Sequence, residues 1–188
     1  VCELPWLEEL DINPLVVDAE KAMAVDARIV LRPVSPAARE YAHMAIHPYP
    51  SKLVYEHRLL DGTYITIRPI RPEDATTERE FVDGLSERSR YLRFMYSLKN
   101  ITTQMVSRFT QIDYDREMAL VALINEHTSR ARILGVARYV SNPDKQSCEF
   151  ALTVADEWQK KGIGRQLMQR LMTVARARGI EIMQGEVL

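Results

Sequence analysis

The sequence predicts a mixed α/β (α+β) domain preceded by a β-hairpin. Three observations lead there. From Gly62 onward, alternating segments and helical stripes follow in the order strand, helices, three strands, helix, strand. Two of those strands, "EMALVALIN" and "ARILGVARYVS", are joined by the polar "NEHTSRA", which makes them an antiparallel hairpin. Finally, Glu149–Gly179, "EFALTVADEWQKKGIGRQLMQRLMTVARARG", runs from an alternating strand through a glycine turn into a long helix.

In chain order, residues 1–31 read as the hairpin, with strands near Leu7–Val17 and Met23–Leu31 and a turn over Asp18–Ala22. Residues 32–60 hold four prolines and little periodicity, the composition of a tethering linker, with one helical turn expected around Ala37–Met44. The main domain is expected over residues 61–188. "TYITIRPI" alternates as a strand. Pro72 followed by Glu73 and Asp74 marks a helix start, because acids suit the positive end of a helix dipole. "SERSRYLRF" and "TTQMVSRFTQI" read as short helices, "SCEFALTV" as a strand, "GRQLMQRLMTVARARG" as a helix and "IEIMQGEVL" as a final strand. The chain starts and stops inside expected strands, so a fragment cut at both ends is expected.

The 188 residues are 46% apolar and 27% charged, as in a soluble globular protein. A net charge of −1 gives no global pull toward nucleic acid or membrane, and no basic stripe supports nucleic-acid binding. Cys2 and Cys148 form no C-x-x-C pair, which fits a reducing, cytoplasmic compartment and argues against a zinc ribbon or disulfide scaffold. No apolar run approaches a membrane span, and no signal peptide is visible.

The glycine turn carries the chemistry. Leu167, Leu171 and Val174, with Met168, Met172 and Ala175, form an apolar stripe that Gly179 ends, so the helix starts near Gly162–Gly164. Its first amides lack intrahelical partners and carry the positive dipole end. Glycines there let a bulky phosphate approach the backbone. The P-loop pattern is absent, and a G-x-G-x-x-G fingerprint would need Gly where Leu167 stands. Upstream, Glu149, Ala151 and Thr153 share one strand face, with Phe150, Leu152 and Val154 on the other. A carboxylate therefore sits beside two small residues, close to the anion turn. There it can take a proton from an attacking amine, whose unperturbed pKa is about 10.4. Asp156 and Glu157 lie nearer the phosphates, where negative charge repels. Asp113, Asp115 and Glu117 are alternatives for substrate contact.

The Q-x-x-G-x-G turn, Gln159 to Gly164, in this order of elements resembles the acyl-CoA pyrophosphate loop of the GNAT N-acetyltransferases. The resemblance implies a mixed, mostly antiparallel sheet flanked by helices, here incomplete after its fifth strand. It also implies acetyl-CoA as cosubstrate, held by backbone groups at Val154, Gly162, Ile163 and Gly164 and by Gln159, Lys160 and Arg165. Lys161 could add a phosphate contact. It makes Glu149 the catalytic base, with a tyrosine acid often supplied past the last strand seen here. "LEELDINPLVV…AVDARIVL" resembles the closing hairpin of the ATP-grasp domain in ADP-forming acyl-CoA synthetases, in which residues matching Asn13 and Asp26 help bind Mg²⁺ with nucleotide. So little of that fold is present that neither metal nor ATP is expected here. Together with "AIHPYPSKLV", the order resembles bacterial protein lysine acetyltransferases fused to an acyl-CoA-synthetase-like region. The implied acceptor is a lysine of a metabolic protein, including an acyl-CoA synthetase. The alternative is a non-catalytic acyl-CoA-sensing domain. His43 and His47 have i, i+4 spacing but no third ligand.

Overall fold

The computed structural model describes residues 4, 6–33, 41, 44, 46–96, 100–128 and 130–186. The chain divides into two compact units, residues 1–48 and 49–188. Among the described residues no helix is long and apolar enough to cross a membrane.

The first unit contains the expected hairpin, split into two short ladders. Strand β1 (Leu7–Ile12) pairs antiparallel with β4 (Ala27–Leu31), and β2 (Leu15–Val17) with β3 (Ala22–Ala24). Pro14, which brings no N–H to the ladder, interrupts the first arm, and Val25–Asp26 interrupt the second opposite it. Around it, Asn13 N–H donates to Asp26 O at 3.2 Å and Val25 N–H to Pro14 O at 3.1 Å. The helical turn expected at Ala37–Met44 lies mostly outside the described residues, as does His43.

The second unit is a six-stranded sheet in the order β10-β9-β8-β7-β6-β5. Its strands are β5 (Tyr55–Arg58), β6 (Tyr64–Pro69), β7 (Glu117–Ile124), β8 (Arg132–Ser141), β9 (Ser147–Val154) and β10 (Ile182–Gln184). All neighbours are antiparallel except β9 and β10, which are parallel. The sheet is therefore mixed and mostly antiparallel, flanked by helices. Strand β5 lies inside the segment read as linker and adds a strand to the expected five. "YEHR" has no apolar alternation, but an edge strand with one neighbour does not need it.

Helices cover both faces. One face carries α4 (Ile163–Ala177), whose Ile163, Leu167, Leu171, Val174 and Ala175 are buried. Met168 is half-buried and Met172 exposed, so the stripe is narrower than the sequence implied. The other face carries α1 (Ala75–Asp83), α2 (Glu87–Phe94) and α3 (Thr103–Thr110), packed through Phe81, Val82 and Val106. Between them β7 is buried on both faces, which is why it reads as a continuous apolar run. Pro72–Asp74 forms a short 3-10 turn entering α1, and the Asp74 carboxylate accepts the Arg71 N–H at 2.8 Å.

One irregularity positions the site. Ala122 pairs with Gly135 but Leu123 with Ile133, so Leu134 is an extra residue in β8. At Gly135 a Cβ would meet the Leu167 side chain and Thr153 O, each at 3.1 Å, and Ile163 at 3.3 Å. Only glycine lets α4 approach β8 so closely there.

Candidate functional site

Strand β9 is bordered on one side along its whole length and on the other only at its start. It pairs with β8 from Ser141–Cys148 to Gly135–Val154. Its pairing with β10 covers Ser147, Cys148 and Glu149 and ends there. The sheet forks after Glu149. Ala155 N–H donates to Leu134 O at 2.9 Å, toward β8. By strand alternation the N–H groups of Leu152 and Val154 face the open side, where an extended ligand bearing amides can pair with them.

At the end of that open edge lies the glycine turn. Gly162 caps α4 at φ 90° and ψ −3°, and Lys160 also has positive φ, 61°. No atom lies within 4 Å of where a Gly162 Cβ would sit. The first cap bond of α4 is Gln166 N–H to Gly162 O at 3.1 Å. The amides of Ile163, Gly164 and Arg165 precede it and have no intrahelical acceptor. A Cβ added at Gly164 would meet the Leu152 and Val154 side chains at 3.4 and 3.5 Å, so the head of α4 lies close to the last residues of β9. A pyrophosphate fits this cradle in charge, space and donor set.

The neighbouring side chains divide. Lys160 and Arg165 are exposed. Lys161 lies 3.3 Å from Asp61 and 4.3 Å above the Trp158 ring, committed to the fold. Gln159 donates from Nε2 to Val154 O at 3.3 Å, closing the turn on the strand that enters it.

Glu149 is exposed at the fork, with Ala151 half-buried and Thr153 buried beside it on the face toward α2. Across the sheet Glu149 pairs with Val140, which pairs with Glu117, so both carboxylates stand in one row. Glu117 is engaged by Arg108 at 2.7 Å. Asp113 is spent on its own turn, accepting the Asp115 N–H at 3.0 Å.

Two features escaped the sequence reading. Asp156 is a clamp: it accepts from Ser86 N–H (2.9 Å), Ser86 Oγ (2.9 Å) and Ser89 Oγ (2.6 Å), tying the start of α2 to the approach of the glycine turn. These bonds, the Ser86 N–H first and then Ser89, hold its carboxyl below the usual range. Ser86 is legible as an N-cap, but its partner lies seventy residues away. The second feature is a buried charge cluster of Glu78 on α1 and Arg138 on β8, 3.8 Å apart. A glutamate inside the Ala75–Phe81–Val82 stripe was its only sequence signal. Burial raises the pKa of Glu78 and lowers that of Arg138.

The fork is not a closed cavity. A cavity of about 480 Å³ lies at the opposite sheet edge, over the ion pairs of Arg68 with Asp74 (2.7 Å) and Glu126. A smaller one, about 300 Å³, lies between Phe81 and Gly84 of the α1 end and Arg132, Asp156 and Glu157.

Fold and site together define an α/β domain with an anion cradle at the head of one helix and an open strand edge leading to a carboxylate. Residues 86–187 match the model of the acetyltransferase (GNAT) family, more than half of the chain, and the protein belongs to that family. Residues 1–31 match an ATP-grasp domain model, a short match. The chain is 37% identical over 123 residues to "Acetyltransferase PA5475" of Pseudomonas aeruginosa, covering 65% of this chain and 66% of that protein. Among solved structures, the GNAT domain of S. lividans PAT superposes with a TM-score of 0.67 at 29% identity, over 75% of this chain and 82% of that one. An N-acetyltransferase from Staphylococcus aureus Mu50 shares the fold at a TM-score of 0.51 and 23% identity, over 65% of this chain and 73% of that one.

Proposed function

We propose that the protein transfers an acetyl group from acetyl-CoA to a lysine side chain of a metabolic protein, an acyl-CoA synthetase among the acceptors, by direct attack. The observation that carries this reading is the fork, in which β10 leaves β9 at Glu149 while the glycine turn waits at the far end of the open edge. In this reading the Gly162–Arg165 backbone and the positive end of α4 hold the pyrophosphate, with Lys160 and Arg165 adding charge and Gln159 fixing the turn. The Leu152 and Val154 amides align the connecting arm. Acetyl-CoA supplies the activated acyl carbon. Glu149 takes a proton from the lysine ammonium, directly or through a water. The nitrogen then bonds to the thioester carbon, the C–S bond breaks, and the thiolate leaves with a proton. Glu149 at the fork stands five residues before Val154, where β9 ends near the turn, about 16 Å at 3.3 Å per residue.

The test is to incubate the protein with labelled acetyl-CoA and candidate metabolic proteins and to map modified lysines. In parallel, Glu149→Gln is expected to lower kcat by roughly 10²–10⁴ while acetyl-CoA affinity stays within about twofold. Wild-type turnover in that variant across neutral pH would remove Glu149 from the mechanism. The ATP-grasp match over residues 1–31 favours a second reading, an acyl-CoA sensor attached to a synthetase. It predicts acetyl-CoA binding without labelled lysine.

A further inference from the structure

We propose that Arg93 sets acceptor specificity: its guanidinium, lying on the Phe94–Phe109 ring pair, receives a carboxylate that the acceptor carries close to its reacting lysine. This rests on the lysine-transfer reading above. The location comes first. The N-cap of α2, Ser86, is clamped to Asp156 beyond the end of β9, and the last residue of α2, Phe94, stacks on Phe109, the ring over which Arg138 of β8 lies. Seven residues at 1.5 Å each bring Arg93 about 10 Å back from the clamp, away from the pyrophosphate turn.

The rings fix the rest. Phe94 and Phe109 are stacked, with centroids 6.0 Å apart and planes 19° apart. The Arg93 Cζ lies 5.0 Å from the Phe94 centroid and 6.0 Å from that of Phe109. Arg138 uses the same ring, with Cζ at 4.7 Å, and donates from Nη2 to Phe109 O at 3.0 Å. Arg138 in turn registers opposite Ala151. Glu149, two residues along the same face, is its diagonal neighbour at roughly 7–8 Å between Cα atoms. Arg93, Arg138 and the candidate base therefore belong to one face of the sheet.

Hydrogen bonding supplies the reason for a ligand. The helices and strands packed here bring the cations Arg93, Arg108 and Arg138 and the carboxylates Glu78, Glu117 and the exposed candidate base Glu149. Glu117 is taken by Arg108 at 2.7 Å, and Glu78 lies nearest Arg138 at 3.8 Å. Among the described residues no acceptor hydrogen-bonds the Arg93 guanidinium, although the residue is only half-buried and can be reached. Burial, then the neighbouring Arg138, pushes its pKa down to about 10. The nearby carboxylate Glu78 acts on Arg93 but is shared with Arg138. A desolvated guanidinium with no hydrogen-bonded acceptor is costly, and its N–H groups suit a bidentate carboxylate. The pyrophosphate is held too far away to be that anion. An aspartate or glutamate flanking the acceptor lysine is the ligand that fits.

The experiment uses two labelled peptides with a central lysine, one flanked by glutamates and one by glutamines. Each is titrated against the full chain with acetyl-CoA present, by fluorescence anisotropy, and assayed for acetyl transfer. Wild type is expected to bind the acidic peptide at least about tenfold tighter. Arg93→Met, which keeps the packed stem, is expected to abolish the preference, and Arg93→Lys to retain part of it. Melting scans report folding, and Arg93→Lys decides if Arg93→Met does not fold. Equal affinities in wild type, or a preference unchanged in either variant, would overturn the proposal. A binding preference that disappears with Arg93, without acetyl transfer to either peptide, would support the carboxylate site and count against the transferase reading.

Discussion

Gly162→Asp separates the anion turn from the fold that carries it. Gly162 stands at φ 90°, where an L side chain is strained by about 1–2 kcal/mol. Nothing lies within 4 Å of the added Cβ, so no clash follows. Position 162 is also the N-cap of α4, where an Asp carboxylate accepts a free amide and suits the dipole, worth about 0.5–2 kcal/mol. These effects oppose one another, and stability should move by about 1 kcal/mol or less. Binding should respond quite differently. The new carboxylate occupies the amides that the pyrophosphate would use and lies about 4 Å from it. At an effective dielectric of 20 each unit-charge pair repels by about 4 kcal/mol, and allowing for solvent at this exposed turn leaves roughly 2–4 kcal/mol. That is about 30- to 1,000-fold in Kd. The assay is calorimetric titration with acetyl-CoA, alongside chemical denaturation with and without ligand. Wild type at 100 times its Kd should gain about 2.7 kcal/mol, and the variant about 0.1–0.9 kcal/mol at the same concentration. A Kd within threefold of wild type would refute the argument. Gly162→Ala, with strain but no charge, is the control.

Other perturbations follow from the same geometry. Asp156 has a depressed pKa, so its contribution is present above the ordinary aspartate value of about 3.9 and lost as pH falls through its lower folded value. Asp156→Asn should flatten that acid limb in melts between about pH 5 and 2; an identical profile would remove the clamp. Arg68→Met leaves Asp74 and Glu126 buried without their cation and should cost about 3–5 kcal/mol, read from urea unfolding. Gly135→Ala crowds Thr153 O and Leu167 and should cost about 1–3 kcal/mol, with weaker acetyl-CoA binding because the head of α4 moves; both are measured in one denaturation series with ligand.

The sequence by itself determined the strands and helices from Tyr64 to the end of the second unit, and where α4 begins. Those features are local: a period of two or 3.6 residues records which face is buried, and a glycine before a stripe marks a helix head. The turn from Gln159 to Arg165 and the side of β9 that carries Glu149 were legible for that reason. Strand β5 was not, because an edge strand with one neighbour can be as polar as "YEHR". Nor was the split of the first hairpin at Pro14, though the proline is plain to see. What only the tertiary structure decided is which distant groups meet. Asp156 finds Ser86 seventy residues upstream, Arg138 finds Glu78, and β10 leaves β9 at Glu149 rather than at Val154. Charges and hydrogen-bonding groups carry no period, and their partners are set by how helices pack across a sheet. The clamp, the arginine cluster and the fork exist only once that packing has brought remote parts of the chain together.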